Sequence, residues 1–419
     1  MPKLLISDKN AKIFSHPQLE AAGMEAGNFF RLKPADLIRL PQGSRLFNLP
    51  HRIPVGLDPK TARSVNIDGY RAAAAFLPPG YTVTYNSAYK ETAGHKILPL
   101  YSYAACAFQK GDIYVAGIRV DRDKRHDQKF TDMRLVKKNA RIYKKIFRMN
   151  RLIPHLERCA LVYGCPNAQN FFLSQYEAPL PTSPKCNATC AGCISYQPAP
   201  EICPSQPRIN FIPTPSEISD LALYHIKNIK DAIVSFGQGC EGEPLMAAGI
   251  IESAIRLIRR KTGKGVINMN TNASRPTMLA RLFDAGLDSV RVSMNSARAV
   301  YYKRYYRPTG YTFGDVTRSI KIAKSKAKFV SLNYLTMPGF TDIKDEVRAL
   351  KELVGNYRVD MIQWRNLNYD PLLYFRKLKL RVAPSELIGV RETIESIRKE
   401  FPQLKIGYFN PRVIASPHR

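Results

Sequence analysis

The chain has 419 residues, 45% hydrophobic and 23% charged, a balance that excludes a disordered or fibrous protein. Its 64 lysines and arginines against 34 acidic residues give a formal net charge of +30, which favours a polyanionic partner such as RNA. The chain contains no apolar stretch of membrane-spanning length, and its eight cysteines are too unevenly spaced for a secreted disulfide framework. We therefore expect a cytoplasmic protein with no membrane partner.

Residues 1–128 combine short apolar runs with Pro and Gly, which predicts an N-terminal mixed or β-rich domain. Alternating apolar residues predict a β-hairpin with arms at 98–108 and 113–120. Cys106 lies in the first arm, in an apolar context typical of core cysteines.

Residues 129–165 are predicted to form a basic helical connector. Between residues 129 and 158, lysines and arginines recur at helical spacing among Leu, Ile and Phe, which predicts one amphipathic helix. Its basic face is either a solvated surface or a docking face for RNA or another anion. His155 and His225 lie in apolar helical stretches, where histidines are more often core residues than ligands.

From residue 166 to residue 380, apolar strands alternate with amphipathic helices, which predicts βα units and a parallel sheet. The predicted strands are 232–237, 265–272, 289–295, 328–337 and 359–366, with a further strand at a cysteine-rich loop near residue 186. Six such units predict an α/β fold, a partial (β/α)6 barrel of the TIM type. Residues 381–419 are predicted to add a helix and a strand that complete or cover the barrel.

Polar residues cluster at the carboxyl ends of the predicted strands, where barrels of this type place their reactive groups. They are Glu243, Asn270, Asn272, Ser293, Asn295, Asn333, Arg365 and Asn366. Trp364 alternates with Gln363 and Arg365, so either the indole or its two polar neighbours face the barrel interior. Buried Gln363 and Arg365 would indicate a polar substrate.

The loop at residues 183–198 carries Cys186, Cys190 and Cys193 with CxxxCxxC spacing. Structural zinc sites usually have a fourth ligand, here Cys203 or a histidine, whereas three thiolates on one cubane cluster leave one iron without a protein ligand. Cysteines 159, 165, 203 and 240 are candidates for an auxiliary cluster or a redox thiol, and are otherwise small buried hydrophobic residues.

With this spacing ahead of a βα array, the sequence resembles the radical S-adenosylmethionine (SAM) superfamily over residues 180–370. The resemblance implies that Cys186, Cys190 and Cys193 bind a 4Fe-4S cluster whose open iron chelates SAM. Reduction would then cleave SAM to a 5'-deoxyadenosyl radical that abstracts hydrogen from a substrate. The resemblance further implies an electron donor such as a flavodoxin or ferredoxin.

Other motifs match the same family. The Gly-Glu-Pro triplet matches the end of the glycine-rich motif that holds the methionine ammonium, and a carboxylate suits that cation. Two later strand ends resemble the family's Thr-Asn and Ser-x-Asn-Ser motifs, and the second implies contacts with the ribose hydroxyls. The implied cofactor-binding residues are Gly242, Glu243, Pro244, Asn272, Ser293 and Asn295.

One position departs from the family pattern. Gly192 stands where an aromatic residue beside the adenine is common, so adenine packing is expected from Ile194 or Tyr196. Residues 301–311 interleave tyrosines with cations, a composition suited either to base stacking or to packing at the barrel mouth.

The substrate is left open by the sequence. RNA is favoured by the charge and the basic connector, a protein or peptide by the general layout of the resemblance, and a small molecule is the third candidate. The rival hypothesis is a non-catalytic zinc or iron-sulfur module that binds nucleic acid.

Overall fold

The computed structural model describes residues 1–123 and 131–411, so residues 129–130 of the predicted connector and 412–419 of the predicted C-terminal segment lie outside the described residues. No helix within the described ranges is both long and apolar enough to cross a membrane. Two sheets organise the chain, one antiparallel and one parallel. The predicted α/β partial barrel with an N-terminal β-rich domain is therefore confirmed.

The N-terminal domain is an antiparallel sheet whose longest strand, β2, pairs on both of its edges. Its strands are β1 (Lys3–Ser7), β2 (Ile13–Glu25), β3 (Asn28–Arg31), β4 (Leu37–Arg39), β5 (Arg45–Leu49), β6 (Arg52–Leu57), β7 (Ser64–Asn66), β8 (Arg71–Phe76), β9 (Tyr81–Val83), β10 (Asn86–Ser87), β11 (Tyr89–Glu91), β12 (Cys106–Gln109) and β13 (Asp112–Arg119). Strands β12 and β13 form the predicted hairpin, and Cys106 is buried as expected.

The first arm of that hairpin is shorter than predicted. It begins at Cys106 because the residues before it make contacts with other parts of the structure. The backbone of Ala104 bridges Ala75 and Asn86, and the N–H of Leu98 donates to the carboxylate of Asp370 in the barrel domain (3.2 Å). Such long-range partners override the local alternation.

The predicted single basic helix is wrong, because residues 131–165 of the connector contain two helices, α1 (Met133–Ile146) and α2 (Leu152–Leu161). A further helix, α3 (Pro166–Phe172), stands at the start of the range predicted for the barrel. The break before α2 has a polar cause, since the side chain of Asn150 accepts from the N–H of Leu152 (3.0 Å) and donates to the carbonyl of Glu217 (2.8 Å). A side chain that bonds the backbone in this way competes with a continuous helix.

The barrel domain is a parallel sheet whose seven strands follow in chain order. Its elements are β14 (Glu177–Pro179), α4 (Pro215–Asn228), β15 (Ile233–Phe236), α5 (Ala248–Lys261), β16 (Val266–Thr271), α6 (Pro276–Ala285), β17 (Ser289–Met294), α7 (Ala299–Tyr306), α8 (Phe313–Ser325), β18 (Phe329–Thr336), α9 (Lys344–Tyr357), β19 (Met361–Asn366), α10 (Pro371–Leu378), α11 (Val390–Glu400) and β20 (Lys405–Gly407). The seventh strand, β20, pairs in parallel with β19 and extends the six-unit barrel that the sequence predicts.

The structure of β19 shows whether Trp364 or its two polar neighbours face the barrel interior. The indole is fully buried and packs edge to face on Tyr334 of β18 at 5.7 Å between ring centroids. Gln363 is instead bonded to Arg291 of β17 and to Asn410. The two polar neighbours of Trp364 therefore face the barrel interior.

The N-terminal domain contacts the carboxyl end of β19. Asn366, predicted at the candidate site, instead accepts from the N–H of Val83 (2.8 Å) and donates to the carbonyl of Tyr81 (3.0 Å). The buried guanidinium of Arg52 binds Asp370, the N-cap of α10, at 2.9 Å. Side-chain bonds that reach from one domain to the main chain and N-cap of the other fix their relative position.

A carboxyl pair lies at the same junction. Burial, followed by the charge of Asp342, raises the pKa of Glu25 from 4.5 to about 10, and the two side chains share a hydrogen bond. The folded protein therefore keeps a proton on Glu25 that the unfolded chain releases above pH 4.5. Stability linked to this proton is complete below that pH and is lost as the pH rises toward 10.

We predict that Glu25→Gln removes this pH dependence, because the amide keeps the hydrogen bond without a titrating proton. The free energy of unfolding, measured in urea at pH 6 and pH 9, should fall less steeply in the variant than in wild type, with a limit of about 1.4 kcal/mol per pH unit for one linked proton. Exposed Glu395→Gln is the matched control and should follow wild type. Parallel slopes for all three proteins would contradict the assignment.

Candidate active site

The cysteine-rich loop begins directly after β14 and is held at its start by Glu241. The buried carboxylate of Glu241 accepts from the N–H groups of Thr182 (2.7 Å) and Ser183 (2.9 Å). Its other oxygen accepts from the N–H groups of Gly237 and Gln238, both at 2.7 Å. One carboxylate thus joins the start of the cysteine loop to the glycine-rich loop that follows β15. Sequence analysis missed Glu241, although its position two residues before Glu243 was visible.

The two loops approach each other too closely for a side chain between them. The N–H of Gly242 donates to the carbonyl of Ser183 (2.6 Å), and the N–H of Glu243 donates to the carbonyl of Lys185 (2.9 Å). A Cβ on Gly242 would lie 2.1 Å from the Lys185 carbonyl oxygen. Glycine is therefore required at this position for the contact.

The opposite side of the cysteine loop is bonded to the end of α7. The N–H of Thr189 donates to the carbonyl of Tyr306 (3.1 Å), and that of Ala191 donates to the carbonyl of Tyr305 (2.9 Å). The loop thus lies between α7 and the glycine-rich loop, and main-chain bonds hold both sides. These main-chain bonds position the three thiols in advance of cluster binding.

The tyrosines of residues 301–311 are not available for base stacking. Tyr302, Tyr305, Tyr306 and Tyr311 are all buried, and the rings of Tyr302 and Tyr306 stack on each other at 4.4 Å. They pack the region behind the cysteine loop, so the base-stacking alternative for this segment is wrong.

The three loop cysteines form a partly buried thiol cluster with two arginines nearby. Burial raises the pKa of Cys186 to about 11, and burial with the charges of its two neighbours raises the pKa of Cys190 well above its usual value. The guanidinium of Arg208 donates to the sulfur of Cys193 (3.6 Å), while Arg307 opposes the increase at Cys190. All are free thiols. Thiolates here need a bound cation, so the residues fit an iron-sulfur cluster.

The geometry does not favour a single zinc ion on this loop. Across the described ranges, the ligand atoms of one group, all within 4.8 Å of one another, could hold one ion, and that group does not include the loop cysteines. Cys203, the fourth ligand of the zinc alternative, is exposed, and its thiol contacts the neighbouring Pro204 carbonyl at 3.5 Å.

Glu243 is a buried carboxylate without a cationic partner. It accepts from the N–H groups of Asn272 (2.8 Å) and Leu245 (3.1 Å) and from the hydroxyl of Thr271. Burial raises its pKa to about 7, and within the described ranges no lysine or arginine forms an ion pair with it. Pro244 follows at the start of a buried 3-10 turn. A cationic group of a ligand would complete this site and return the carboxylate to its charged form.

Two of the other predicted cofactor residues, Asn272 and Asn295, already have hydrogen-bond partners. The amide of Asn272 donates to the side chain of Asn187 (2.9 Å) and so connects β16 to the cysteine loop. Asn295 is fully buried and donates to the hydroxyl of Tyr374 (3.1 Å), while its Oδ1 accepts no bond. Ser293 is half-buried on β17. Their contacts with ribose stay a prediction.

The space beside Gly192 is taken by aromatic side chains. A Cβ at this position would lie 2.9 Å from the hydroxyl of Tyr305 and 3.5 Å from the ring of Tyr369. An aromatic side chain at residue 192 therefore could not fit without movement of Tyr305. Ile194 is half-buried and Tyr196 exposed, and the expected adenine contacts of both stay predictions.

Two arginines lie together inside the barrel. Arg291 on β17 donates to the Gln363 side chain (3.0 Å), its Nε has no partner, and Arg365 donates to the carbonyl of Tyr408 (2.9 Å). Burial and the nearby charge of Arg365 lower the pKa of Arg291 to about 9. Sequence analysis missed Arg291, although it lies two residues before Ser293 on the same strand face.

The two predicted core histidines differ in the structure. His225 is buried, hydrogen-bonded to the Tyr176 carbonyl (3.3 Å), and burial lowers its pKa to about 4, so it is a core residue as expected. His155 is half-buried, and its ring nitrogen lies 3.6 Å from the sulfur of Cys159. For His155 the choice between a core residue and a ligand stays open at this point.

Comparison with known proteins gives the same assignment. The profile of the Radical SAM superfamily matches residues 180–354. The chain is 29% identical to GTP 3',8-cyclase of Lactiplantibacillus plantarum over 217 residues, which are 51% of this chain and 59% of that protein. It is 27% identical to molybdenum cofactor biosynthesis protein 1 of Mus musculus over 223 residues, 53% of this chain and 32% of that protein. The matches thus span less than two thirds of either relative.

Two solved structures are more distant. Methylornithine synthase has a TM-score of 0.39 and 14% identity, with 64% of this chain and 77% of that chain covered. Streptococcus suis SuiB bound to precursor peptide SuiA has a TM-score of 0.39 and 11% identity, with 63% and 60% covered. The profile match and the site geometry together identify residues 180–354 of this chain as a radical SAM domain.

Proposed function

We propose that this protein cleaves SAM reductively and uses the resulting radical to abstract hydrogen from a substrate that carries an anionic group. The radical SAM domain implies a 4Fe-4S cluster and SAM. When bound, this pair supplies a 5'-deoxyadenosyl radical after one electron arrives from a donor such as a flavodoxin or ferredoxin. The observation that carries the first part is the buried Glu243 carboxylate, which lacks a cation and lies close enough to Cys186 to raise its pKa.

The residues of this chain divide the work of binding. Cys186, Cys190 and Cys193 would hold three irons as thiolates, and the guanidinium of Arg208 donates to the sulfur of Cys193. Glu243 would accept a hydrogen bond from the methionine ammonium of SAM. Its bonds from Asn272 and Thr271 come from uncharged donors, so they do not supply an opposite charge. The main-chain bonds of the loops hold these groups in position.

We predict that Cys190→Ala abolishes the formation of 5'-deoxyadenosine from SAM, because a cluster held by two thiolates is not retained. Anoxically purified wild type, reconstituted with iron and sulfide and reduced with dithionite, should form 5'-deoxyadenosine, measured by liquid chromatography. Exposed Cys203→Ser is the matched control and should keep both iron and product. Undiminished product in Cys190→Ala would contradict the assignment.

Glu241 and Glu243, which flank Gly242, allow a sharper test of SAM binding. We predict that Glu243→Gln weakens the affinity of the reconstituted protein for SAM by about tenfold or more, because a charge-assisted bond to the ammonium is lost. Glu241→Gln should instead lower the melting temperature more strongly, since an amide nitrogen would face N–H donors where a carboxylate oxygen accepts from two of them.

Equilibrium dialysis with labelled SAM and thermal melts of both variants separate these effects. The assignment would be rejected if Glu243→Gln bound SAM as tightly as wild type, or if both variants lost affinity and stability equally.

The anionic substrate is supported by the arginine pair in the barrel. Arg365 lies close enough to Arg291 for its charge to lower the pKa of Arg291, although the nearby charge of Glu177 opposes this shift. Within the described ranges neither arginine forms an ion pair with a carboxylate. A guanidinium without an ion-pair partner binds carboxylate and phosphate well. The cyclase relative acts, by its name, on GTP, which is such an anion.

We predict that Arg291→Gln and Arg365→Gln each weaken the binding of an anionic probe by about tenfold. The probes are GTP, citrate and a short single-stranded RNA, each added to the reconstituted protein in equilibrium dialysis, with the exposed Arg256→Gln variant as control. At least one probe should bind wild type and the control equally and both variants more weakly. Failure of all three probes to bind, or equal affinity throughout, would reject an anionic substrate.

The basic face of α1 provides a test that distinguishes an RNA substrate from a small anionic substrate. Its exposed cationic side chains line one shallow groove, and they are Arg134, Lys137, Lys138, Arg141 and Lys145. Binding of RNA should fall steeply with salt and weaken when Lys137, Lys138 and Lys145 become Gln, whereas binding of GTP or citrate should not respond to those substitutions.

A further inference from the structure

A second cluster of metal-binding side chains lies outside the cysteine loop. His155 and Cys159 stand one helical turn apart on α2, and Cys240 lies in the glycine-rich loop after β15. Their ligand atoms all lie within 4.8 Å of one another, and the His155 Nε2 atom is 3.6 Å from the Cys159 sulfur. The i, i+4 spacing on one helix turns both α2 side chains to the same face.

The surroundings of these three residues suit a bound ion. Cys159 and Cys240 are buried, while His155 is half-buried and leaves a path from solvent. Neither cysteine is in a disulfide. A further thiol, Cys165, follows the end of α2, where its N–H donates to the carbonyl of Cys159 (2.9 Å). The three ligand atoms therefore converge from two separate elements, which helix packing alone does not require.

We propose that His155, Cys159 and Cys240 bind one zinc ion at a site separate from the iron-sulfur cluster. Two sulfur ligands and one imidazole nitrogen are the donor set of tetrahedral zinc, and they disfavour magnesium or calcium, which take oxygen ligands. Each thiol releases one proton as it binds, and the fourth position is left to water. Atoms within 4.8 Å of one another suit a single ion.

The position of Cys240 gives this site a consequence for the active site. Cys240 directly precedes Glu241 and Gly242, the residues that hold the cysteine loop, and Glu243 follows. A zinc ion would fix the glycine-rich loop to α2, whose own start is held to α4 by the bonds of Asn150 and Arg151 to Glu217. Loss of the ion should therefore loosen the loop that carries Glu243, without touching the three cluster thiols.

The test measures the zinc and iron content of the protein and not its catalytic activity. Full-length protein is purified without oxygen, dialysed against buffer freed of metals, and analysed for zinc and iron by elemental mass spectrometry. Wild type should retain one zinc per chain. Cys159→Ser and His155→Gln should each lose it or bind it about tenfold or more weakly, while Cys190→Ala should lose iron and keep zinc. Cys203→Ser is the control for an unrelated thiol.

Cobalt provides a direct view of the ligands. Replacement of zinc by Co²⁺ should give a thiolate-to-cobalt charge-transfer band and the visible bands of a tetrahedral ion in wild type and Cys190→Ala, but not in Cys159→Ser. If Cys159→Ser fails to fold, the same spectra are recorded for His155→Gln, because His155 is only half-buried and its substitution disturbs the core less. Wild type without zinc, or zinc and cobalt spectra unchanged in both ligand variants, would overturn the proposal. Because iron and zinc are counted separately, this result does not depend on the proposed radical chemistry.

Discussion

The buried carboxylate of Glu241 is the contact on which the geometry of the site depends. Burial raises its pKa, but four main-chain N–H groups from two loops oppose that shift. Those bonds set the distance between the start of the cysteine loop and the glycine-rich loop, and the absent side chain of Gly242 allows the distance to be short. Glu243, two residues later, is also buried, and burial raises its pKa to about 7 because no lysine or arginine of the described residues forms an ion pair with it. One carboxylate thus holds the structure, and the other is left for a ligand.

The N-terminal domain shapes the barrel through the carboxyl end of β19. Thr82 donates to the carbonyl of Trp364 (2.8 Å), and Asn366 bonds to the backbone of β9. Strand-end groups that a free barrel would direct to solvent are thereby used for domain contact. The polar interior with Arg291 and Gln363 is therefore the part of the barrel where we propose that a substrate binds.

The sequence predicted what depends on local pattern. The period of the apolar residues located β15 to β19, and the alternation on β19 correctly limited the choice between Trp364 and its neighbours. The sequence could not predict what depends on distant partners. The break between α1 and α2 arises where Asn150 meets Glu217, the role of Asn366 arises from β9, and the convergence of His155 with Cys240 joins residues 85 positions apart. The separation of two residues along the chain does not predict such contacts, because they depend on how the tertiary structure brings distant segments together.

The charge of the barrel interior argues most directly about the substrate. Burial and the charge of Arg365 both lower the pKa of Arg291, while the nearby charge of Glu177 opposes them. Removal of a cation from water is costly unless an opposite charge or good hydrogen bonds replace the water. Gln363 accepts one bond from Arg291, and within the described residues the Nε atom of Arg291 has no hydrogen-bond partner. The proposed anionic substrate would supply both an acceptor and an opposite charge when it binds between the two arginines.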